Sequence, residues 1–194
     1  MSSTASKPPF VLVHGAWQGS WVWERVVDAL RAQGHRVFAP SLTGIGERAH
    51  LAGPQVDLAM HVADVVGVID HYELENVVLC GHSYGGMVVG GAADRVASKI
   101  GSLVYLDAFI PEAGKSLWDF LPQEGVAAQR NSAKDGWRIP RISAAEFRVQ
   151  SPDDIARLDR RAVDQPLATM DQKSTVIGAW KNIPHLAYIR AAGQ

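Results

Sequence analysis

The sequence contains little cysteine and no long apolar run. Its 194 residues include one cysteine, Cys80, which excludes an internal disulfide framework. No apolar stretch approaches the roughly 20 residues that a helix needs to span a bilayer, so no membrane partner is expected. Residues 1–9 are polar and lack an apolar signal core, and we predict a flexible tail there. A cytoplasmic location is the default expectation.

An excess of charge of either sign is also absent. Lys and Arg total 19, and Asp and Glu total 20, which gives a net charge of −1. Without a basic excess, no nucleic-acid partner is expected. The histidines lack the close spacing to other ligands that a zinc site requires, and no Gly-rich phosphate-binding motif occurs. We therefore expect no metal and no cofactor in a single globular domain.

Five short segments rich in β-branched or aromatic residues are predicted to be buried strands. They cover residues 10–13, 36–39, 76–80, 102–106 and 186–190. Helical patterns separate the first four of these strands.

Three candidate end residues and one small-residue run mark these helices. Ser20 is a candidate N-cap and Gly34 a candidate C′ residue of the first helix. Asp57 opens the second helix, and small residues dominate a third helix over residues 85–96. This alternation predicts an α/β fold with a mostly parallel, doubly wound sheet.

The pattern changes after Ala108, because residues 109–175 contain no convincing buried strand. Two short helices are predicted there, one from the Ser143–Glu146 capping box and one from Ser151 followed by Pro152. We expect a helical cap inserted after the fourth strand. Residues 10–108 and 176–194 would then form the core.

The sequence from Gly81 to Gly85 reads Gly-His-Ser-Tyr-Gly, between a predicted strand and a small-residue helix. This strand–turn–helix context is typical of a nucleophile elbow, in which a strained turn exposes the serine hydroxyl. Ser83 is therefore the candidate nucleophile. The backbone amides of Ala16 and Tyr84 are the candidate oxyanion donors, because Ala16 lies in the loop after the first strand.

A substrate pocket is predicted around this serine from His14, Trp17, His82 and Trp118. Each of these residues also has a simpler interpretation. In the simpler interpretation, the His14 side chain orients its own loop. His82 would be a packing residue, because the sharp turn directs neighbouring side chains apart. The tryptophans can pack a cap onto the core.

Three stretches carry a family resemblance: residues 10–23, the elbow, and the sequence Leu-Asp-Ala-Phe-Ile-Pro at 106–111. Together they resemble the hydroxynitrile lyase and plant methylesterase branch of the α/β-hydrolases, with its bacterial esterase relatives. The resemblance implies a core sheet, a helical cap and a small hydrophobic pocket. The lyases carry threonine directly after the histidine at the position of Gly15, so the resemblance favours an esterase.

The remaining triad members are less evident. In α/β-hydrolases the acid follows the serine and the histidine comes last. Asp107 ends the strand after the elbow helix and is the candidate acid, although a turn residue or cap anchor is an equal interpretation. His185 precedes the last predicted strand and should lie at the opposite end of the sheet from Ser83. We therefore expect the catalytic histidine, with a last strand and helix, to be absent from these residues.

The sequence thus predicts a serine esterase that hydrolyses a small apolar, aryl or methyl carboxylic ester through an acyl-enzyme. The missing base predicts slow turnover. Two alternatives remain open, a hydroxynitrile-lyase-like carbon–carbon lyase and a small-molecule binding protein that lacks the triad histidine. The strand at 186–190 would form an exposed sheet edge, which predicts a homodimer.

Overall fold

In a computed structural model, which describes residues 7–192, five strands form one parallel sheet. The strands are β1 (Phe10–Val13), β2 (Val37–Phe38), β3 (Val77–His82), β4 (Ile100–Leu106) and β7 (His185–Ile189). Their order is β2-β1-β3-β4-β7, and each neighbouring pair is parallel. The five predicted strands and the doubly wound α/β fold class are confirmed, with strand boundaries that differ slightly from the prediction. The predicted burial of the fifth strand is wrong, because β7 is exposed at every position at the edge of the sheet.

Helices cover both faces of this sheet. The first helix, α1 (Glu24–Ala32), packs over one face, where a small apolar cluster is buried. The helices α2 (Leu58–His71) and α3 (Gly85–Arg95) lie over the other face and its larger core. Gly91 of α3 allows close contact between these two helices, because a Cβ there would lie 2.7 Å from Cγ2 of Val62.

Two of the three predicted helix signals are confirmed. The Asp57 carboxylate accepts a hydrogen bond of 2.9 Å from the Met60 amide and caps α2. Gly34 follows α1 with a left-handed φ of 84°, as expected at C′. The Ser20 prediction is wrong, because this residue begins a 3-10 helix, Ser20–Trp23, and its side chain caps neither that helix nor α1.

Between β4 and β7 the chain contains three helices and a second, small sheet. The helices are α4 (Gln123–Asn131), α5 (Pro152–Arg161) and α6 (Leu167–Asp171). The sheet pairs β5 (Arg138–Ile139) with β6 (Gln165–Pro166) in antiparallel fashion. The sequence predicted no strand here, since two-residue strands, one of them containing proline, show no alternating pattern.

The two helix starts predicted in this segment have different outcomes. Ser151 accepts a hydrogen bond from the Asp154 amide and begins α5, as predicted. The Ser143–Glu146 capping-box bonds also form, but only turns follow them. Arg148 then adopts a left-handed φ of 53°, which ends the turn after one revolution, so the predicted helix there is wrong.

Residues 1–6 of the predicted tail and residues 193–194 lie outside the described part of the chain. The tail prediction fails at its end, because the carbonyl of Pro8 lies 2.9 Å from Nδ1 of His35 and that of Pro9 accepts a hydrogen bond from the Val78 amide. Across residues 7–192, no helix combines the length and apolar character needed to cross a membrane.

Candidate active site

Ser83 lies in a sharp turn between β3 and α3, at the carboxyl edge of the sheet. Its φ of 51° is left-handed, a conformation that is strained for a residue with a side chain. The Ser83 carbonyl accepts hydrogen bonds from the Gly86 amide at 3.0 Å and the Phe109 amide at 3.2 Å. The Ser83 amide donates to the Leu106 carbonyl at 3.3 Å, so the turn is held on both sides.

Glycine is required on both sides of this turn for steric reasons. A Cβ on Gly81 would lie 2.5 Å from the carbonyl oxygen of Gly85. A Cβ on Gly85 would lie 2.7 Å from the carbonyl oxygens of Val13 and His14 in the loop after β1. The turn therefore sits directly against that loop, in the strand–turn–helix geometry that the sequence motif predicts.

The two predicted oxyanion donors belong to two loops that meet at the serine, since a Cβ on Gly15 would lie 3.2 Å from Ser83 Cβ. Ala16 belongs to the loop after β1, Tyr84 follows Ser83 directly, and both residues are buried. Within residues 7–192, neither backbone amide donates a hydrogen bond to a protein group. Buried amides are almost always paired. Two free amides beside a serine hydroxyl are suited to bind an oxygen that becomes negatively charged in a transition state.

A cavity of about 720 Å³ opens beside the serine, and Ser83, His82 and Asp107 all line it. Trp21 and Phe147 contribute apolar walls. Of the four predicted pocket residues, His82 is the one that lines this cavity.

Asp107 directly follows β4, next to the serine-bearing strand β3. Its φ is 42°, its side chain is exposed, and its amide donates to the Ile189 carbonyl at 2.7 Å. Burial lowers the pKa of His82, and the negative charge of Asp107 partly opposes this shift. A hydroxyl, an imidazole and a carboxylate thus share one cavity. Within the described residues, however, the Ser83 hydroxyl forms no hydrogen bond to an imidazole or a carboxylate.

His14 supports the loop that carries Ala16. Its Nδ1–H donates to the Gly15 carbonyl at 2.8 Å, and its Nε2 accepts from the Leu42 amide at 3.1 Å. Burial lowers the pKa of His14 to about 4, so the ring is neutral. This geometry agrees with the simpler interpretation of His14 and leaves it outside the cavity wall.

The two predicted pocket tryptophans are buried away from the cavity wall. Trp17 has a left-handed φ of 62°, and its ring packs edge-on against Phe147 with 6.2 Å between ring centroids. The Arg130 guanidinium lies over the Trp118 ring, and its Cζ is 3.9 Å from the ring centroid. Both rings fill space between the segment after β4 and the core.

His185 begins β7 and pairs in register with Ser102, near the start of β4. Ser83 instead follows the residue that pairs with Leu106, at the end of β4. The two side chains therefore belong to opposite ends of the sheet, as the sequence predicts.

Sequence reasoning missed a group of buried polar side chains behind the site, formed by His61, Gln165 and Thr169. The available signal was His61, a polar residue on the apolar face of α2. No cluster of three or more metal-ligating side chains occurs within residues 7–192.

Comparisons with known proteins agree with this geometry. Residues 10–194 match the model of the alpha/beta hydrolase family. A carbendazim hydrolyzing esterase from Nocardioides sp. (strain SG-4G) is 47% identical over 195 residues, covering 95% of this chain and 80% of that protein. Esterase PIR7B from Oryza sativa subsp. japonica is 37% identical over 184 residues, covering 79% of this chain and 65% of that protein.

A solved structure of an extracellular alpha/beta-hydrolase from a Paenibacillus species is similar with a TM-score of 0.82 and 26% identity. The match covers 94% of this chain and 77% of that one. Plant methylesterases and an alpha-hydroxynitrile lyase from Arabidopsis thaliana also match. The chain therefore belongs to the alpha/beta hydrolase family, in the branch that contains esterases, plant methylesterases and hydroxynitrile lyase, and it is a hydrolase by family.

Proposed function

We propose that Ser83 is the nucleophile of an esterase that acts on a small carboxylic ester through an acyl-enzyme. The observation that carries this proposal is the pair of free amides, on Ala16 and Tyr84, beside a serine held in a left-handed turn. Such donors are typically worth about 2.7–4 kcal/mol each in the transition state.

The reaction has two acyl-transfer steps. The Ser83 oxygen attacks the ester carbonyl carbon, and the carbonyl oxygen becomes an oxyanion between the two amides. Collapse of this intermediate restores the carbonyl and expels the alcohol, which takes up the proton that the serine lost. Water then attacks the acyl-enzyme in the same way and releases the carboxylic acid.

Asp107 is the candidate acid, since its carboxylate lines the cavity beside His82. A serine hydroxyl is a poor nucleophile until a base accepts its proton. Because no described imidazole bonds the Ser83 hydroxyl, we expect the 194-residue polypeptide to turn over slowly. An oxyanion hole and substrate binding alone still leave roughly 10³–10⁴-fold catalysis over water.

Part of the cavity wall is apolar and suits an acyl or aryl group, while charged side chains line the rest. Trp21, Phe147, Val149 and Leu158 supply apolar surface near Ser83. Small aryl and methyl esters are therefore the substrates to test. Carbendazim belongs in the same panel, because a protein 47% identical to this chain is named for its hydrolysis.

A lyase is the second candidate, and the surroundings of Gly15 argue against it. A Cβ at Gly15 would lie 3.0 Å from His82 Nδ1 and 3.2 Å from Ser83 Cβ. Both distances are shorter than ordinary van der Waals contact, so the threonine of the lyases would crowd His82 and Ser83 here, whereas glycine does not. Release of cyanide from a cyanohydrin would favour the lyase instead.

Covalent labelling tests the role of Ser83. A fluorophosphonate probe should label the parent chain once, and Ser83→Ala should lose both the label and the release of p-nitrophenol from p-nitrophenyl acetate. Ser102→Ala is the matched control, because Ser102 pairs with His185 near the other end of β4. Labelling that persists in Ser83→Ala would contradict the proposal. Tight binding of an ester to an unlabelled parent chain would instead favour a binding protein.

A further inference from the structure

A cap-side glutamine holds the loop that carries one oxyanion donor. Gln165 of β6 is fully buried, and its Oε1 accepts a hydrogen bond of 2.9 Å from the amide of Trp17. The Trp17 carbonyl in turn accepts 2.9 Å from the amide of Val163. Both backbone polar groups of Trp17, the residue directly after Ala16, are thus bonded to the segment before α6.

The side-chain nitrogen of Gln165 is also hydrogen-bonded. This Nε2 atom donates to the Thr169 hydroxyl at 2.6 Å. The Thr169 hydroxyl in turn donates to the Pro166 carbonyl at 2.6 Å. His61 accepts from the Tyr84 hydroxyl at 2.8 Å and donates through Nε2 to the Thr43 carbonyl at 2.9 Å.

These contacts form two buried polar groups, one in which Gln165 and Thr169 hold the Ala16 loop and one in which His61 holds the Tyr84 side chain. His61, Tyr84, Gln165 and Thr169 are each at most 1% exposed. Buried polar groups of this kind are rigid when satisfied, because an unmade hydrogen bond costs about 1–3 kcal/mol. The left-handed φ of Trp17 is a conformation that persists only when its surroundings determine it.

We propose that Gln165 is a positioning residue for the oxyanion hole, acting through the Trp17 amide and itself held by the Thr169 hydroxyl. The role rests on the proposed function of Ser83. Displacing a catalytic group by about 1 Å costs on the order of 10²-fold in rate. Gln165 thereby couples the segment after β4 to the geometry of the Ala16 donor.

Gln165→Met tests this role, because methionine keeps the length of the side chain and removes both hydrogen bonds. We expect the acylation rate of Ser83 by p-nitrophenyl acetate to fall by roughly 10- to 100-fold. The KM should change little, since the amides bind the oxyanion and not the ground-state ester. Thr169→Val keeps the size of the side chain and removes the hydroxyl that accepts from Gln165 Nε2, but it leaves the bond from the Trp17 amide to Gln165 Oε1, so a smaller loss is expected.

Gln172→Met is the matched control. Gln172 also joins this segment to the core, since its Oε1 accepts from the Ala59 amide at 2.6 Å and its Nε2 donates to Asp57 at 2.6 Å. These bonds lie at the start of α2, away from the Ala16 loop. The control should lose stability in urea unfolding but keep the acylation rate and the KM of the parent.

The outcomes separate this role from the proposed function. A Gln165→Met chain that unfolds like Gln172→Met but acylates slowly at unchanged KM supports the positioning role. A folded Gln165→Met chain that acylates at the parent rate overturns it, and so does an equal slowing in Gln172→Met. If Gln165→Met does not fold, Thr169→Val decides between the same two results. A parent chain that no fluorophosphonate labels would overturn the function of Ser83, and this role with it.

Discussion

Acidification should destabilise the protein through two buried histidines, His14 and His61. Burial lowers the pKa of each from 6.5 to about 4, so both rings are neutral in the folded chain near neutral pH. Each ring also uses a nitrogen as an acceptor, His14 from the Leu42 amide and His61 from the Tyr84 hydroxyl. A proton on either acceptor would break that hydrogen bond as well as place a charge in the core.

The pKa shifts set the direction and size of the effect. An unfolded imidazole binds a proton below about pH 6.5, whereas the folded rings do so only near 4. The stabilisation that the two neutral histidines give the folded chain is therefore complete above pH 6.5, and it is lost as the pH falls toward 4. At about pH 5 each histidine lowers the free energy of unfolding by roughly 2 kcal/mol relative to neutral pH, and the pair lowers it by roughly 4 kcal/mol. This is a large part of a typical stability of about 5–15 kcal/mol.

Urea unfolding followed by tryptophan fluorescence, between about pH 7 and pH 5, measures this loss. His61→Gln cannot titrate in this range and should show about half of the parent's pH dependence. His71→Gln removes an exposed imidazole and should keep the full dependence. Equal free energies of unfolding at the two ends of the range in the parent chain would refute the argument from burial.

Two further predictions concern the sheet. Gly81→Ala would bring a Cβ within 2.5 Å of the Gly85 carbonyl oxygen and should cost about 1–3 kcal/mol or more in urea unfolding. The control Gly67→Ala, on α2 with nothing within 4 Å, should stabilise the helix by about 0.5–1 kcal/mol, and equal costs at both sites would contradict the steric argument. At the sheet edge, β7 is exposed along its whole length and should pair with β7 of a second copy. Sedimentation velocity should show a concentration-dependent dimer that Ala187→Lys abolishes, and a parent chain that stays monomeric at high concentration would refute this pairing.

Much of the fold and the turn at Ser83 are predictable because their causes are local. Parallel strands covered on both faces appear as short continuous apolar runs. All five runs in this chain form strands, although β7 at the edge is exposed. The turn at Ser83 depends on glycines two residues away on either side, so its motif is contained in five residues. Asp57 likewise caps α2 through a group three residues along the chain.

The features that escaped prediction depend on contacts between distant residues. The bond between Gln165 and the Trp17 amide joins positions 148 residues apart, and no pattern near either residue signals it. The strands β5 and β6 are two residues long and form only because the chain folds back between them. At Ser143 the local signal was correct for the hydrogen bonds but could not tell that the chain leaves the turn at Arg148.

The left-handed backbone of Trp17, Ser83 and Asp107 has a consequence for engineering this protein. Glycine would adopt each conformation without the cost of roughly 1–2 kcal/mol that a side chain adds there. Directed evolution for heat resistance alone should therefore enrich glycine at positions 83 and 107, whereas the packing of the buried Trp17 ring outweighs the strain at position 17. At position 83 the most thermostable variants would lose the proposed nucleophile. A thermostability screen on this scaffold must score acylation in the same round as melting temperature.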